Sequence, residues 1–183
     1  MRKSLLLIAI VFTIAINGSA YAQPNIMVFF DEDLTLGAAN CPSAPIGTVP
    51  ATLYVVANNF DAWITAVEFQ IVYPPQLFFT GDQLDTDIVL GNTASGITIG
   101  WSVPKSCFGG TVLAKANVIW FCNDCAGNQD APIDVIANPN QGFLRAVEWP
   151  SQTTFDIVGM RSLICATTPV EETTWGQIKS LYH

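Results

Sequence analysis

From residue 26 to residue 164 the chain is a succession of short apolar runs, broken by Gly, Pro, Asn and Asp. Within each run, hydrophobic and polar positions alternate. The clearest run is Trp63 to Tyr73. Its odd positions are Trp63, Thr65, Val67, Phe69, Ile71 and Tyr73, and its even positions include Glu68 and Gln70. A period of two puts the two sets on opposite faces of a strand, so this run predicts a half-buried strand with the odd set inward. Pro74 and Pro75 end it, because neither can donate to a ladder. In Gly96 to Val103, the residues Ile97, Ile99, Trp101 and Val103 share one face. In Thr111 to Phe121, Val112, Ala114, Ala116, Val118 and Trp120 alternate with Lys115 and Asn117. Ile26 to Phe30, Thr52 to Ala57, Leu77 to Thr80, Asp87 to Leu90, Phe143 to Trp149 and Thr154 to Ile164 complete a series of roughly nine strands.

Short strands, frequent turns and no intervening amphipathic helix predict an all-β fold. The expected form is an antiparallel β-sandwich, jelly-roll or immunoglobulin-like, with a closed barrel as the alternative. Trp63, Trp101 and Trp120 fall on the apolar phase of their strands and are expected in the core. Trp149 precedes Pro150 at a strand end and is the best placed for an exposed, ligand-stacking role.

The two ends read differently. Arg2 and Lys3 precede an apolar stretch from Leu5 to Ile16, too short for a bilayer, which needs about twenty residues. Asn17, Gly18 and Ser19 break it, and Ala20-Tyr21-Ala22 has the small-x-small pattern that signal peptidase reads. Residues 1–22 are therefore expected to be a signal peptide, with a sandwich domain over 23–166. Residues 167–183 read as a polar linker and a short C-terminal helix. In that helix Thr174 is a cap candidate, and Trp175, Ile178 and Leu181 form a narrow apolar stripe.

Charge removes one class of partner. The chain carries 7 basic and 15 acidic residues, a net charge of −8. Such a surface repels phosphate backbones, so nucleic acid is excluded. With 50% hydrophobic and 12% charged residues, the chain can fill a core.

The chemistry available is narrow. The sole histidine is the last residue, His183, which leaves a serine or cysteine nucleophile without a usable base. Glycoside hydrolysis needs only two carboxylates, and Glu32, Glu68 and Glu148 are available. Asp82, Asp85 and Asp87 beside Gly81 are spaced as loop oxygen ligands for calcium, the one cofactor the sequence offers. The alternative for these three is a solvated acidic loop.

Export permits disulfides among Cys41, Cys107, Cys122, Cys125 and Cys165, and five is odd. Cys122 and Cys125 are expected to form a local clip, with a redox pair or a metal site as the alternatives. Cys107 and Cys122 flank one long strand and lie too far apart to bond. A final strand running antiparallel to Thr111–Phe121 would bring Cys165 to Cys107 as a long-range bridge.

The layout from Ile26 to Phe121 resembles cohesin modules and related carbohydrate-binding sandwiches. The resemblance is carried by Gly47-Thr48-Val49-Pro50 leading into Leu53-Tyr54-Val55-Val56, and by Ala66 to Pro74 followed by Leu77. Gly81-Asp82 and the closing Gly110-Thr111-Val112-Leu113-Ala114 add to it. Cohesins commonly carry Asp two residues before that leucine, where this chain has Pro75. The resemblance implies the fold and assigns no partner-binding residue. The ending Val170 to Tyr182 resembles a short tail on secreted bacterial proteins. Together these readings lead to an exported, non-catalytic binding or adhesion module that recognises a protein or polysaccharide at the cell envelope. A carbohydrate-binding module is the alternative, and a small carboxylate-based glycan hydrolase comes third.

Overall fold

The computed structural model describes residues 23–37, 42, 47–122 and 130–165. The expected leader, the segment holding Cys125 and the C-terminal helix lie outside these residues. Twelve strands are described: β1 (Asn25–Phe29), β2 (Gly47–Asn58), β3 (Trp63–Val72), β4 (Leu77–Gln83), β5 (Ile88–Asn92), β6 (Gly96–Ser106), β7 (Thr111–Cys122), β8 (Ala131–Ile136), β9 (Arg145–Trp149), β10 (Thr154–Asp156), β11 (Val158–Gly159) and β12 (Arg161–Ile164).

They form two sheets, which makes the fold a β-sandwich. The first runs β11-β1-β2-β7-β4, and the second runs β10-β9-β3-β6-β5. Beyond Glu68, β8 pairs with Gln70 to Val72 of β3, and β12 pairs with β8. Each pairing is antiparallel except β1 with β11, which is parallel.

The alternation read from the sequence fills the space between the sheets. Ile26, Val28, Leu53, Val55, Ala116 and Val118 come from the first sheet, and Val67, Phe69, Ile71, Ile97 and Ile99 from the second. Each large side chain so buried contributes on the order of 1.5–3 kcal/mol. Trp101 and Trp120 are buried, as their phase predicts. Pro50 is tolerated inside β2 because β1 covers only Tyr54 to Asn58 on that strand's other side. Its missing donor therefore breaks no ladder bond there.

Three expectations are corrected. Trp63 is 47% exposed rather than buried. A register shift between Ile64 and Ala66 reverses the phase, sending Ile64 inward and Trp63 outward. The expected last strand, Thr154–Ile164, is three short strands that serve both sheets. β10 pairs with β9, β11 with β1, and β12 with β8. Gly159 permits the crossing, since a Cβ there would lie 1.8 Å from the Val135 carbonyl oxygen. The split also removes the expected Cys107–Cys165 bridge. No part of 154–164 lies along β7; Cys107 is a buried free thiol, and Cys165 is disulfide-bonded elsewhere. For the Cys122–Cys125 clip, Cys125 lies outside the described residues.

A candidate binding face on the second sheet

Register places the outward-facing side chains of β9, β3, β6 and β5 in rows across the sheet. One row runs Arg145, Glu68, Thr98, Leu90. The next runs Val147, Ala66, Gly100, Ile88. Between them lies the inward row of Ala146, Val67 and Ile99, each at most 1% exposed, which fixes the direction of the others. At the far end Trp63 pairs with Trp149 on one side and with Ser106 on the other.

The resulting surface is shallow in the middle and apolar at both margins. Thr98, Gly100 and Ala66 form a floor of small residues. A Cβ on Gly100 would meet the Ile88 Cβ at 3.5 Å, so the two residues are in ordinary packing distance. Ile88 and Leu90 rise on the β5 side, 58% and 65% exposed. Trp63 and Trp149 rise at the β9 end, the latter 48% exposed. Phe143, also exposed, lies against the Arg145 guanidinium, with 4.1 Å from its carbon to the ring centroid. Contiguous exposed apolar residues of this kind mark interaction sites.

One ion pair is set into the floor. The Arg145 Nε donates to the Glu68 carboxylate. Glu68 is nearly buried, while Arg145 keeps partial access to water. Held between Glu68 and the Phe143 ring, Arg145 presents a fixed positive group in an acidic protein.

The expected calcium ligands do not converge. Asp82 accepts the backbone N–H and hydroxyl of Thr93, at 2.8 and 2.7 Å. Asp85 pairs with the Lys105 Nζ at 2.7 Å. Asp87 accepts the N–H and hydroxyl of Ser102, both at 2.6 Å, and these bonds hold its carboxyl below the usual carboxylate range. Each acid is spent on an internal contact: Asp85 and Asp87 fasten β6, and Asp82 fastens the turn between β5 and β6. Among the described residues no group of three acidic, cysteine or histidine side chains could hold a metal ion.

Sequence reasoning singled out Trp149 and missed Trp63, Ile88, Leu90 and Arg145. A signal for β5 was present. Ile88, Val89 and Leu90 are consecutive apolar residues between Asp87 and Gly91, too short a run for a core strand. Nothing local marked the Trp63 reversal, which depends on partner register.

The geometry defines a two-sheet module with one open, largely apolar face. No family model and no curated protein sequence matches the chain. Among solved structures, it is similar to a cohesin module from a family 33 glycoside hydrolase of Clostridium perfringens. That likeness has a TM-score of 0.54 and 8% identity over 80% of this chain and 98% of the other. It is also similar to the third ScaB cohesin of R. flavefaciens, solved in complex with a group 1 dockerin. There the TM-score is 0.52 and the identity 9%, over 81% of this chain and 99% of the other. The chain has a cohesin-like β-sandwich fold. Such identities carry over no residue.

Proposed function

We propose that this protein is a non-catalytic protein-binding module that docks its partner on the outer face of β9, β3, β6 and β5. The observation that carries the reading is the exposure of Ile88, Leu90, Trp63 and Trp149 around a floor of small residues. A rigid sheet with large apolar groups at its margins is preorganised, so little ordering entropy is lost on docking. Tryptophan and arginine are the residue types that most often dominate such interfaces. The similarity to a cohesin solved with a dockerin supports a protein as the partner class. Export through the N-terminal leader would deliver the module to the cell envelope or beyond.

The test is affinity capture from the envelope fraction of the parent organism with wild type, Trp149→Ala and Phe78→Ser. Phe78 lies on β4 of the first sheet, with its ring 6.5 Å from Phe121 of β7, so it serves as a control away from the proposed face. A discrete protein retained by wild type and Phe78→Ser and lost by Trp149→Ala supports the reading. Equal capture by all three sinks it.

A carbohydrate is the second reading, favoured by one observation: Trp63 and Trp149 are exposed and directly opposite on neighbouring strands. Two indoles so placed offer apolar faces to a sugar ring. Glycan-array binding abolished by Trp149→Ala, without protein capture, would establish it. The hydrolase reading has less to draw on. Glu68 is engaged by Arg145, and Glu148 accepts from Ser151 at 2.6 Å and Thr153 at 3.3 Å.

A further inference from the structure

Sheet edges offer unpaired backbone groups, and proteins usually blunt them with short strands, bulges or charge. Most edges here are blunted. β4 carries a bulge between Phe79 and Gly81. β10 has three residues and β11 two. β12 has four, and its Arg161 makes two hydrogen bonds to Asp134. β5 differs. It has five residues, no charge, no proline and no register shift, and among the described strands it pairs with β6 alone. Ile88, Val89 and Leu90 are all exposed on it.

We propose that β5 pairs antiparallel with β5 of a second copy of this chain, joining two second sheets across a two-fold axis at Leu90. The strand is complementary to itself in this register. Leu90 meets the partner's Leu90 on the outer face, as an apolar cross-strand pair. Val89 meets the partner's Gly91, which has no side chain to obstruct it. Ile88 meets the partner's Asn92. Asp87 falls beyond the end of the partner's β5 at Asn92, so the two Asp87 carboxylates stand at opposite ends of the seam. Asp87 is already held by Ser102, so it brings no unsatisfied charge there. A two-fold arrangement of this kind closes after two copies and leaves no further edge to propagate. The net charge of −8 opposes association, so the dimer strengthens as salt screens it. This inference shares Ile88 and Leu90 with the proposed docking face but does not rest on what that face binds.

The test is sedimentation equilibrium of the exported chain across a wide concentration range, at low and moderate salt. A monomer–dimer equilibrium that shifts toward dimer with added salt is expected. Leu90→Lys should weaken it roughly tenfold or more, with the near-ultraviolet circular dichroism unchanged. Leu90→Cys should give a covalent dimer with a short bis-maleimide, which spans opposed Cβ atoms about 4.5–5.5 Å apart; that is wider than the disulfide range of about 3.5–4.5 Å. Trp149→Ala should leave self-association intact while removing the docking proposed above, which separates the two ideas. A wild-type chain that stays monomeric throughout overturns the inference. So does a Leu90→Cys variant that fails to cross-link, even if Leu90→Lys does not fold.

Discussion

Glu68 stands among outward-facing residues on the middle strand of its sheet, yet only 7% of its surface reaches solvent. A carboxylate so placed is tolerable because Arg145 hydrogen-bonds it. Replacing Arg145 by Met keeps bulk over Phe143 but leaves Glu68 without its counter-charge. Breaking a fully buried pair this way costs about 3–5 kcal/mol. Arg145 is 31% exposed, so about 2 kcal/mol is the expected loss in denaturant titration. The double variant Glu68→Gln/Arg145→Met should recover part of it, because no unpaired charge remains. Cys107 offers a second test. Burial pushes its thiol from 9.0 up to about 11, against the opposing pull of the Thr111 hydroxyl and the Lys105 ammonium. The folded state therefore holds this proton where the unfolded chain releases it. This contribution to stability is complete below pH 9 and is lost as pH rises toward about 11. The native thiol should also resist alkylation at neutral pH and react once the chain is unfolded.

At the scale of elements, alternation was the legible signal. β3, β6 and β7 could be placed because each carries a long run of period two bounded by turn residues. β8 was missed although Ala131, Ile133 and Val135 alternate inward, because Pro132 argues against a strand with partners on both sides. The Thr154–Ile164 run looked continuous because Gly159 was the lone interruption, and the need for glycine there arises from Val135, a residue far away in sequence. The proposed binding face was less legible still. Its rows join four strands, and the one-residue shift near Ala66 decides which tryptophan is presented. Turn chemistry does make one element testable on its own. Gly91 has a φ of +85°, and a Cβ on it would lie 2.1 Å from the Gly96 carbonyl oxygen. Gly91→Ala should therefore cost more than about 2 kcal/mol. Hydrogen exchange should show the loss concentrated in β5 and in the β6 residues paired with it.

For the molecule as a whole, a disulfide lies at one end of the sandwich. Ile164, at the end of β12, joins Phe30, Pro42, Val49, Ala51, Leu53, Leu77 and Trp120 around an apolar cavity of about 190 Å³. The next residue, Cys165, is disulfide-bonded, and its N–H donates to the Pro42 carbonyl at 2.9 Å. Cys107 is free, so the partner of Cys165 must be Cys41, Cys122 or Cys125. The bond to Pro42 selects among them. Cys41 is the sequence neighbour of Pro42, whereas Cys122 and Cys125 lie far from it in the chain. Non-reducing peptide mapping should therefore recover Cys41–Cys165, with Cys107 alkylated as a free thiol. Such a bridge ties the β1–β2 connection to the last strand and closes a loop of more than a hundred residues. Loops of that size are worth roughly 4–5 kcal/mol in the chain-entropy estimate. Reduction should lower the melting temperature accordingly and admit an apolar dye to the cavity beside Trp120. Recovery of Cys165 paired with any other cysteine would overturn this pairing, and a melting temperature indifferent to reductant would show that this end is held by packing alone.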